Sequence, residues 1–517
     1  LLLLFVSFTH ARAQASKLPT PDRVVGEYVK AVGGKKRLAA LRDATYEWAV
    51  QQNGADAGTA RTQLKSPNSL RTDFLLSEGE TDIAANARTA WTRTRDGHLR
   101  TLTDSESFAA RLQALLEAGW FVDYKKQKVL ARTVALEEVG GEPAYLVEFT
   151  TRAGAHLRYW FGSKSKVPLG MWDESRRLRV SFADWRAQSG SPLQLEPHRL
   201  KVEREDADAV TLTLQEARYN TGLADTLFEP PSDATLDIPA LLRELSKNQD
   251  EDDKHIDDYT FTQKVTEREL NDRGEVKKEK INVYEIYPVS GWGWVEKLVV
   301  ENGQPLTPDR AAREEKRAAE ELAKAERELP KLKEKRQRER AERKAKQKKK
   351  SKGGEDADGE ADDDVEISTF LRACEFVSPR RERFHDRDTI VFDFRPRAGF
   401  RPATQAESIV SKLSGIIWVD PAEGQVVRLE ARLVEGFKMG GGLVASIKPG
   451  SAFIFEQTRV PEGVWLPRFS QVNVSARILL FAGVSVNETR EFSDYKRFSA
   501  KTGDDKLDAP KEKPREP

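Results

Sequence analysis

From Thr45 onward the chain is cut at short intervals by Gly, Asn, Asp and Pro. Between the cuts apolar and polar residues alternate: YEWAV, LRTDFLL and TAWTRT, then VALEEV, AYLVEFT, LRYWFG, LRVSFADW, LEPHRLKVE and VTLTLQEARY. A period of two puts one set of side chains on one face of an extended chain, so each segment reads as a half-buried strand and the succession as an antiparallel meander. The pattern resumes at YTFTQKV, INVYEIY and VEKLVVENG, stops, and returns at TIVFDFRPRAG, SGIIWVD, VVRLEARLV, SAFIFEQTRV and the segments that follow. Helical spacing interrupts the strands at three places. Thr20 and Pro21 supply a cap and a first helical residue before the stripe Val24, Val25, Tyr28, Val29 and Val32, which Gly33 and Gly34 end. Phe108, Leu112, Leu115 and Leu116 form a second amphipathic helix, and Ile238, Leu241, Leu242 and Leu245 a third.

A chain of 517 residues exceeds what one hydrophobic core organises, so at least two domains are expected. With 85 Lys+Arg against 84 Asp+Glu the net charge is +1, which argues against a surface built for nucleic acid. Charged residues make up 33%, above the globular average of about 25%. The excess lies between the two runs of strands in the second half, in the insert 307–366: residues 307–352 are almost wholly Ala, Glu, Lys, Arg, Leu and Gln and end in a lysine cluster at 344–352, and the acidic run 355–366 follows. Leu322, Leu329 and Leu332 are its only apolar residues larger than alanine before that run, so the segment reads as a solvated, partly helical spacer without a buried face. At the amino end, the apolar run Leu1 to Phe8 followed by Ala11-Arg12-Ala13-Gln14-Ala15 reads as an export signal, residues 1–15, with cleavage after Ala15. It is far short of the roughly 20 residues of a bilayer span, no later stretch reaches that length, and no transmembrane segment is expected.

The two halves rhyme. AYLVEFTTRAG (144–154) matches TIVFDFRPRAG (389–399), and RVSFADWR (179–186) matches TREFSDYKRF (489–498), as a duplication would produce. The domains expected are 16–235, and 236–306 joined with 367–500, with 307–366 set into the second and a charged, Pro-rich tail at 501–517. No H-E-x-x-H, Walker A loop or G-x-S-x-G elbow occurs. His98, His156, His198, His255 and His385 show no metal-ligand spacing, and the single Cys374 excludes an internal disulfide or a Cys-based zinc site. No enzyme, metal or cofactor is expected.

The stretch LLEAGWFVDYKKQKVLARTVALEEVGGEPAYLVEFTTRAGAHLRYWFGSKSKVPL (115–169) resembles the middle of the outer-membrane lipoprotein-sorting family, the LolA/LppX/RseB-like group, as do VVGEYVKAVGGKKRLAALRDATYE (24–47) and DTLFEPP (225–231). From Tyr259 to Phe498 the phrases Trp418-Val419-Asp420, EQTRVPEGVWLP (456–467) and FSDYKRF (492–498) are similar to exported proteins of the same kind. The resemblance implies a mainly β (α+β) fold: two tandem curved antiparallel half-barrels with covering helices around 21–32 and 105–118, plus the long charged insert in the second. It implies a periplasmic carrier that holds the acyl chains of lipid or an acylated lipoprotein on an apolar concave face, without catalysis or cofactor. The alternative within that fold is a non-transporting sensor or interaction module. For the charged insert, the alternative to a solvated spacer is a contact with an envelope protein partner or anionic lipid headgroups. Lining candidates on alternate strand positions are Trp48, Phe74, Leu76, Trp91, Phe149, Trp160 and Phe182 in the first half, and Phe392, Phe394, Trp418 and Phe455 in the second.

Overall fold

Thr20 caps the first helix, α1 (Pro21–Ala31), by accepting a 3.4 Å hydrogen bond from the Arg23 N–H, and Val24, Val25 and Tyr28 form its buried stripe. Gly34, at φ +87°, turns the chain out of it into the short α2 (Lys35–Leu38) while its N–H reaches back to the Val29 carbonyl. In the computed structural model the described residues are 18–188, 190–205, 207–252, 256–270, 276–289, 293–325, 327–329, 367–439, 445–478 and 484–497. The expected export signal, the lysine cluster, the acidic run and the 501–517 tail lie outside them.

The protein is mainly β, with two large antiparallel sheets, neither of them closed. In the first, β1 (Asp43–Gln52), β2 (Ala55–Lys65), β3 (Ser69–Leu76), β4 (Gly79–Ala85), β5 (Ala90–Arg93) and β6 (Leu99–Thr101) form one meander. After α3 (Asp104–Ala118) a second meander runs through β7 (Leu130–Val139), β8 (Glu142–Thr150), β9 (His156–Gly162), β10 (Pro168–Asp173), β11 (Leu178–Arg186), β12 (Glu196–Arg204) and β13 (Ala207–Tyr219). Pairing of β1 with β13 joins the two into one sheet. Helix α3 touches both β5 and β9, which stand nine strands apart in sheet order. Laid flat they would be about 43 Å apart at ~4.8 Å per strand, whereas a 15-residue helix is only about 22 Å long. The sheet therefore curls around α3. Ala109, Leu112 and Leu116 on one flank of the helix join a core with β8–β11 and α1, while Ala110, Ala114 and Ala118 on the other join a core with β1–β3.

The second sheet repeats the plan. After α4 (Ile238–Asp252) a meander of β14 (Tyr259–Leu270), β15 (Val276–Val289), β16 (Gly293–Glu301) and β17 (Gln304–Pro305) leads to a helix, α5, over 308–325. Beyond the insert, α6 (Ile367–Ala373) opens a second meander of β18 (Cys374–Phe384), β19 (Arg387–Pro396), β20 (Leu413–Asp420), β21 (Gln425–Leu433), β24 (Ala452–Arg459), β25 (Trp465–Ile478) and β26 (Val484–Arg497). Helix α7 (Gln405–Val410) precedes β20, and the short β22 (Phe437–Met439) and β23 (Ala445–Ile447) form a side hairpin. β14 pairs with β26 as β1 pairs with β13, so the closing meander has seven strands in both halves and the charged insert occupies the topological place of α3. Of the two sequence rhymes, 144–150 and 389–396 fall on the corresponding strands β8 and β19. The other does not hold: 179–186 is β11, whereas 489–497 lies in β26, the counterpart of β13.

The spacer also differs from expectation. Its first part is not a solvated helix without a buried face, because Ala318 and Ala325 are buried and, with Leu322, pack α5 onto Tyr287, Val289 and Val295. Small side chains let the helix approach the sheet closely, and counting only residues larger than alanine hides that seam.

The end strands of the two sheets, β6 and β18, face one another. Thr101 donates from its N–H (2.7 Å) and its hydroxyl (2.6 Å) to the Glu382 carboxylate. Arg380, 1% exposed, donates to Glu382 at 2.7 Å, Asp393 at 2.9 Å and Thr101 Oγ1 at 2.6 Å. A second buried guanidinium, Arg428, donates to Glu456 at 2.7 Å, Glu430 at 2.7 Å and Asp104, at the start of α3, at 2.6 Å. An unpaired sheet edge is a template for aggregation, and here each end strand covers the other through side chains.

Candidate functional site

Strands pointing alternate residues inward leave room beside α3. A cavity of about 710 Å³ lies between the helix and the inner face of the first sheet. Its wall is built from the period of the strands: Leu178, Val180 and Phe182 on β11, Leu200 and Val202 on β12 and Leu212 on β13. These stand side by side in register, with Val180 opposite Val202, Phe182 opposite Leu200, and Leu200 opposite Leu212. The facing wall is softer in polarity. Leu70, Phe74 and Ile83 alternate there with the threonines Thr62, Thr72, Thr81 and Thr92, whose hydroxyls include a Thr62–Thr72 hydrogen bond of 3.3 Å and a Thr92 bond to the Asp82 carbonyl of 2.8 Å.

Charged residues line the cavity on the helix side and also around β4 and β5, where Asp82, Arg93, Arg95 and Asp96 contribute. Arg100 pairs with Glu106 at 2.7 Å, and Arg176 donates to the Gln113 amide oxygen at 2.5 Å. Gln113 in turn donates to Glu117 at 3.1 Å, and the Tyr159 hydroxyl to the same carboxylate at 2.9 Å. Burial pushes the Glu117 carboxyl above its usual range even though both hydrogen bonds and the nearby Arg176 act against it. A carboxyl so placed carries its proton more readily than one in water. An apolar trough with a few fixed polar groups at one side is the chemistry of a site for an amphiphile.

Of the residues anticipated as lining, Phe74 and Phe182 border the cavity. Trp48 lies on the same face and donates from Nε1 to Thr62 at 3.2 Å; Leu76, two residues beyond Phe74, packs half-buried on the adjoining core. Phe149 is on the inner face as well, but edge-on to Tyr124 and against Phe121 in the solid core beneath α1. Trp91 and Trp160 point to the opposite face. Trp91 donates to the Phe228 carbonyl at 3.2 Å under Arg71, and Trp160 to Glu137 at 2.7 Å beside Arg179. In the second half Phe392 and Phe394 pack edge-on to Phe376 and Phe370, in a core shared with α4 and α6. Trp418 lies in a separate core with Trp465, under Arg428, and Phe455 stacks on Phe453. The aliphatic wall of β11–β13 was missed, although the alternation Leu178-Val180-Phe182 and Leu200-Val202 was available to show it.

No group of His, Cys, Asp and Glu among the described residues has the geometry of a metal site. Cys374 is buried, and burial pushes its thiol up to about 12, so it is no nucleophile near neutral pH. No helix among the described residues is long and apolar enough to cross a membrane.

The structure is of the class in which an open antiparallel sheet curls around a helix, with a cavity between them. No protein-family model and no curated protein matches the chain. Solved structures that align with it include a LolA superfamily protein of Nitrosomonas europaea, 14% identical over 42% of this chain and 100% of its own, with a TM-score of 0.28. Mycobacterium tuberculosis lipoprotein LppX aligns with 40% of this chain and 98% of its own at 8% identity and a TM-score of 0.16. The MucA/MucB complex of Pseudomonas aeruginosa spans both halves, covering 91% of this chain and 94% of its own at 7% identity and a TM-score of 0.14.

Proposed function

We propose that this protein is an exported, non-catalytic carrier whose first half holds the acyl chains of a lipid or of an acylated lipoprotein. The observation that carries this is the aliphatic wall of β11–β13 facing a 710 Å³ space beside α3. Each methylene moved from water into such a space gains about 0.8 kcal/mol, so a 16-carbon chain has on the order of 12 kcal/mol available. A bilayer offers about the same, so such a carrier exchanges its cargo near balance, and a membrane or a partner decides the direction. The Arg100–Glu106 pair and the Arg176–Gln113–Glu117 chain at the side of the cavity provide polar groups for the head of the amphiphile.

The test is displacement of a fluorescent fatty acid from the purified full chain, with Val202→Trp as a plug. The larger ring takes the room of about four methylenes, so at about 0.8 kcal/mol each the affinity falls by about 3 kcal/mol, on the order of a hundredfold. Equal binding by the plugged and unplugged proteins would remove the cavity from the account.

A further inference from the structure

A second cavity, of about 370 Å³, lies on the opposite side of α3, between the two halves. Phe108, Arg111 and Leu115 line it from the helix, where Glu106, Gln113 and Glu117 line the first cavity from the other flank. The loop after β4 adds Arg88, and β21 of the second half adds Glu430 and Arg432.

The charge there is unbalanced. Among the described residues Arg111 makes a single hydrogen bond, 2.8 Å from Nη2 to the Ala87 carbonyl, and its buried Nε has no partner. Arg88 pairs with Glu229 at 2.7 Å, but its Nε, 3.7 Å from Asp393, is likewise buried without a hydrogen bond. Asp393 is held by Arg380 through Oδ1 at 2.9 Å, while its Oδ2, the atom 3.7 Å from Arg88 Nε, is buried without a hydrogen bond. Glu430, the acidic residue of the lining, receives both Nε (2.9 Å) and Nη2 (2.7 Å) of Arg428. Arg432 is half-buried and makes no hydrogen bond or ion pair with any described residue. Burial, with Arg111 and Arg88 close enough to repel it, pulls its guanidinium down to about 9. Three guanidinia thus line a half-open space with donors to spare, an arrangement suited to an anion rich in oxygen acceptors.

We propose that this cavity binds a phosphate-class oxyanion, free or carried on a lipid headgroup, through Arg88, Arg111 and Arg432. Entry of the anion supplies acceptors to the orphaned Nε atoms and neutralises the repulsion across the junction, so occupancy draws the two halves together. The site is separate from the acyl cavity and stands or falls without it.

The test is calorimetric titration of the full chain with inorganic phosphate, with dihexanoyl phosphatidic acid, and with uncharged dihexanoyl glycerol, at low salt, alongside Arg432→Leu and Arg111→Gln. Phosphate or phosphatidic acid is expected to bind, the uncharged lipid not, and each variant to weaken binding about tenfold or more. Preference between the two anions identifies the source. Arg432→Leu removes an unpaired charge, so its Tm in phosphate-free buffer is expected to equal or exceed that of the parent while the phosphate-induced rise in Tm is lost. Fatty-acid displacement from the first cavity is expected to stay unchanged in both variants. Failure of both anions to bind, or binding that both variants leave intact, overturns the proposal.

Discussion

Arg380→Met tests how the two halves are held. The guanidinium is 1% exposed and makes hydrogen bonds of 2.7 Å to Glu382, 2.9 Å to Asp393 and 2.6 Å to Thr101 Oγ1. Methionine fills much of the same volume but leaves two buried carboxylates without their cation, and breaking a buried pair in this way costs about 3–5 kcal/mol. Part of that is relieved here, since Glu382 keeps both donors of Thr101 and Asp393 keeps Arg88 at 3.7 Å, so the lower figure, about 3 kcal/mol, is expected. Urea denaturation followed by tryptophan fluorescence reads the loss, with the transition of the second half, which carries both carboxylates, moving most. Combining the change with Glu382→Gln and Asp393→Asn removes the orphaned charges, and most of the stability should return. A loss below about 1 kcal/mol, or a triple variant no better than the single one, would refute the reasoning.

Asp43→Ala should destabilise the first half by about 3 kcal/mol, since Asp43 accepts charge-assisted bonds from the Thr221 N–H (2.7 Å), its hydroxyl (3.0 Å) and the Gly222 N–H (3.0 Å). Burial raises the Asp43 carboxyl and these donors more than offset it, so its folded value lies below the usual one. The penalty of the substitution is therefore full above the ordinary aspartate range and shrinks as pH falls through the depressed value, which denaturation between pH 7 and 2 checks. Glu117→Gln has the opposite sign: burial lifts the folded carboxyl, so the wild type loses stability as pH rises from the usual glutamate value through the raised one, and the variant should gain on it over that window. A pH-independent difference would contradict the assignment. Ala325→Glu places a carboxylate where Ala325 is fully buried against β15 and β16, and should release α5 so that proteolysis within 308–325 accelerates while fatty-acid displacement is unchanged.

The architecture was legible because period-two alternation and its turn residues survive in the sequence whatever the tertiary context; so were α1, through Thr20 and Pro21, and α3, through its leucines. Faces were harder. Trp91 and Trp160 are aromatic members of alternating runs, but a strand covered on both sides offers two candidate faces, and Phe228 over Trp91 and Arg179 beside Trp160 supply the second cover from distant sequence. Phe392 and Phe394 share one face of β19, against which α4 and α6 pack, and packing density is a property of the assembled layers rather than of any strand. The junction between the halves was invisible for the same reason: Thr101, Arg380 and Asp393 look like ordinary strand residues until the two sheet edges meet.

Photocrosslinking maps the cargo most directly. The full chain is loaded with a diazirine-bearing palmitate analogue, irradiated, digested and sequenced by mass spectrometry. Adducts on the β11–β13 peptides containing Phe182, Leu200, Val202 and Leu212, competed away by unlabelled palmitate and lost in Val202→Trp, are the expected result. Adducts confined to peptides outside that wall, or labelling that palmitate does not compete, would contradict a carrier built on the first sheet.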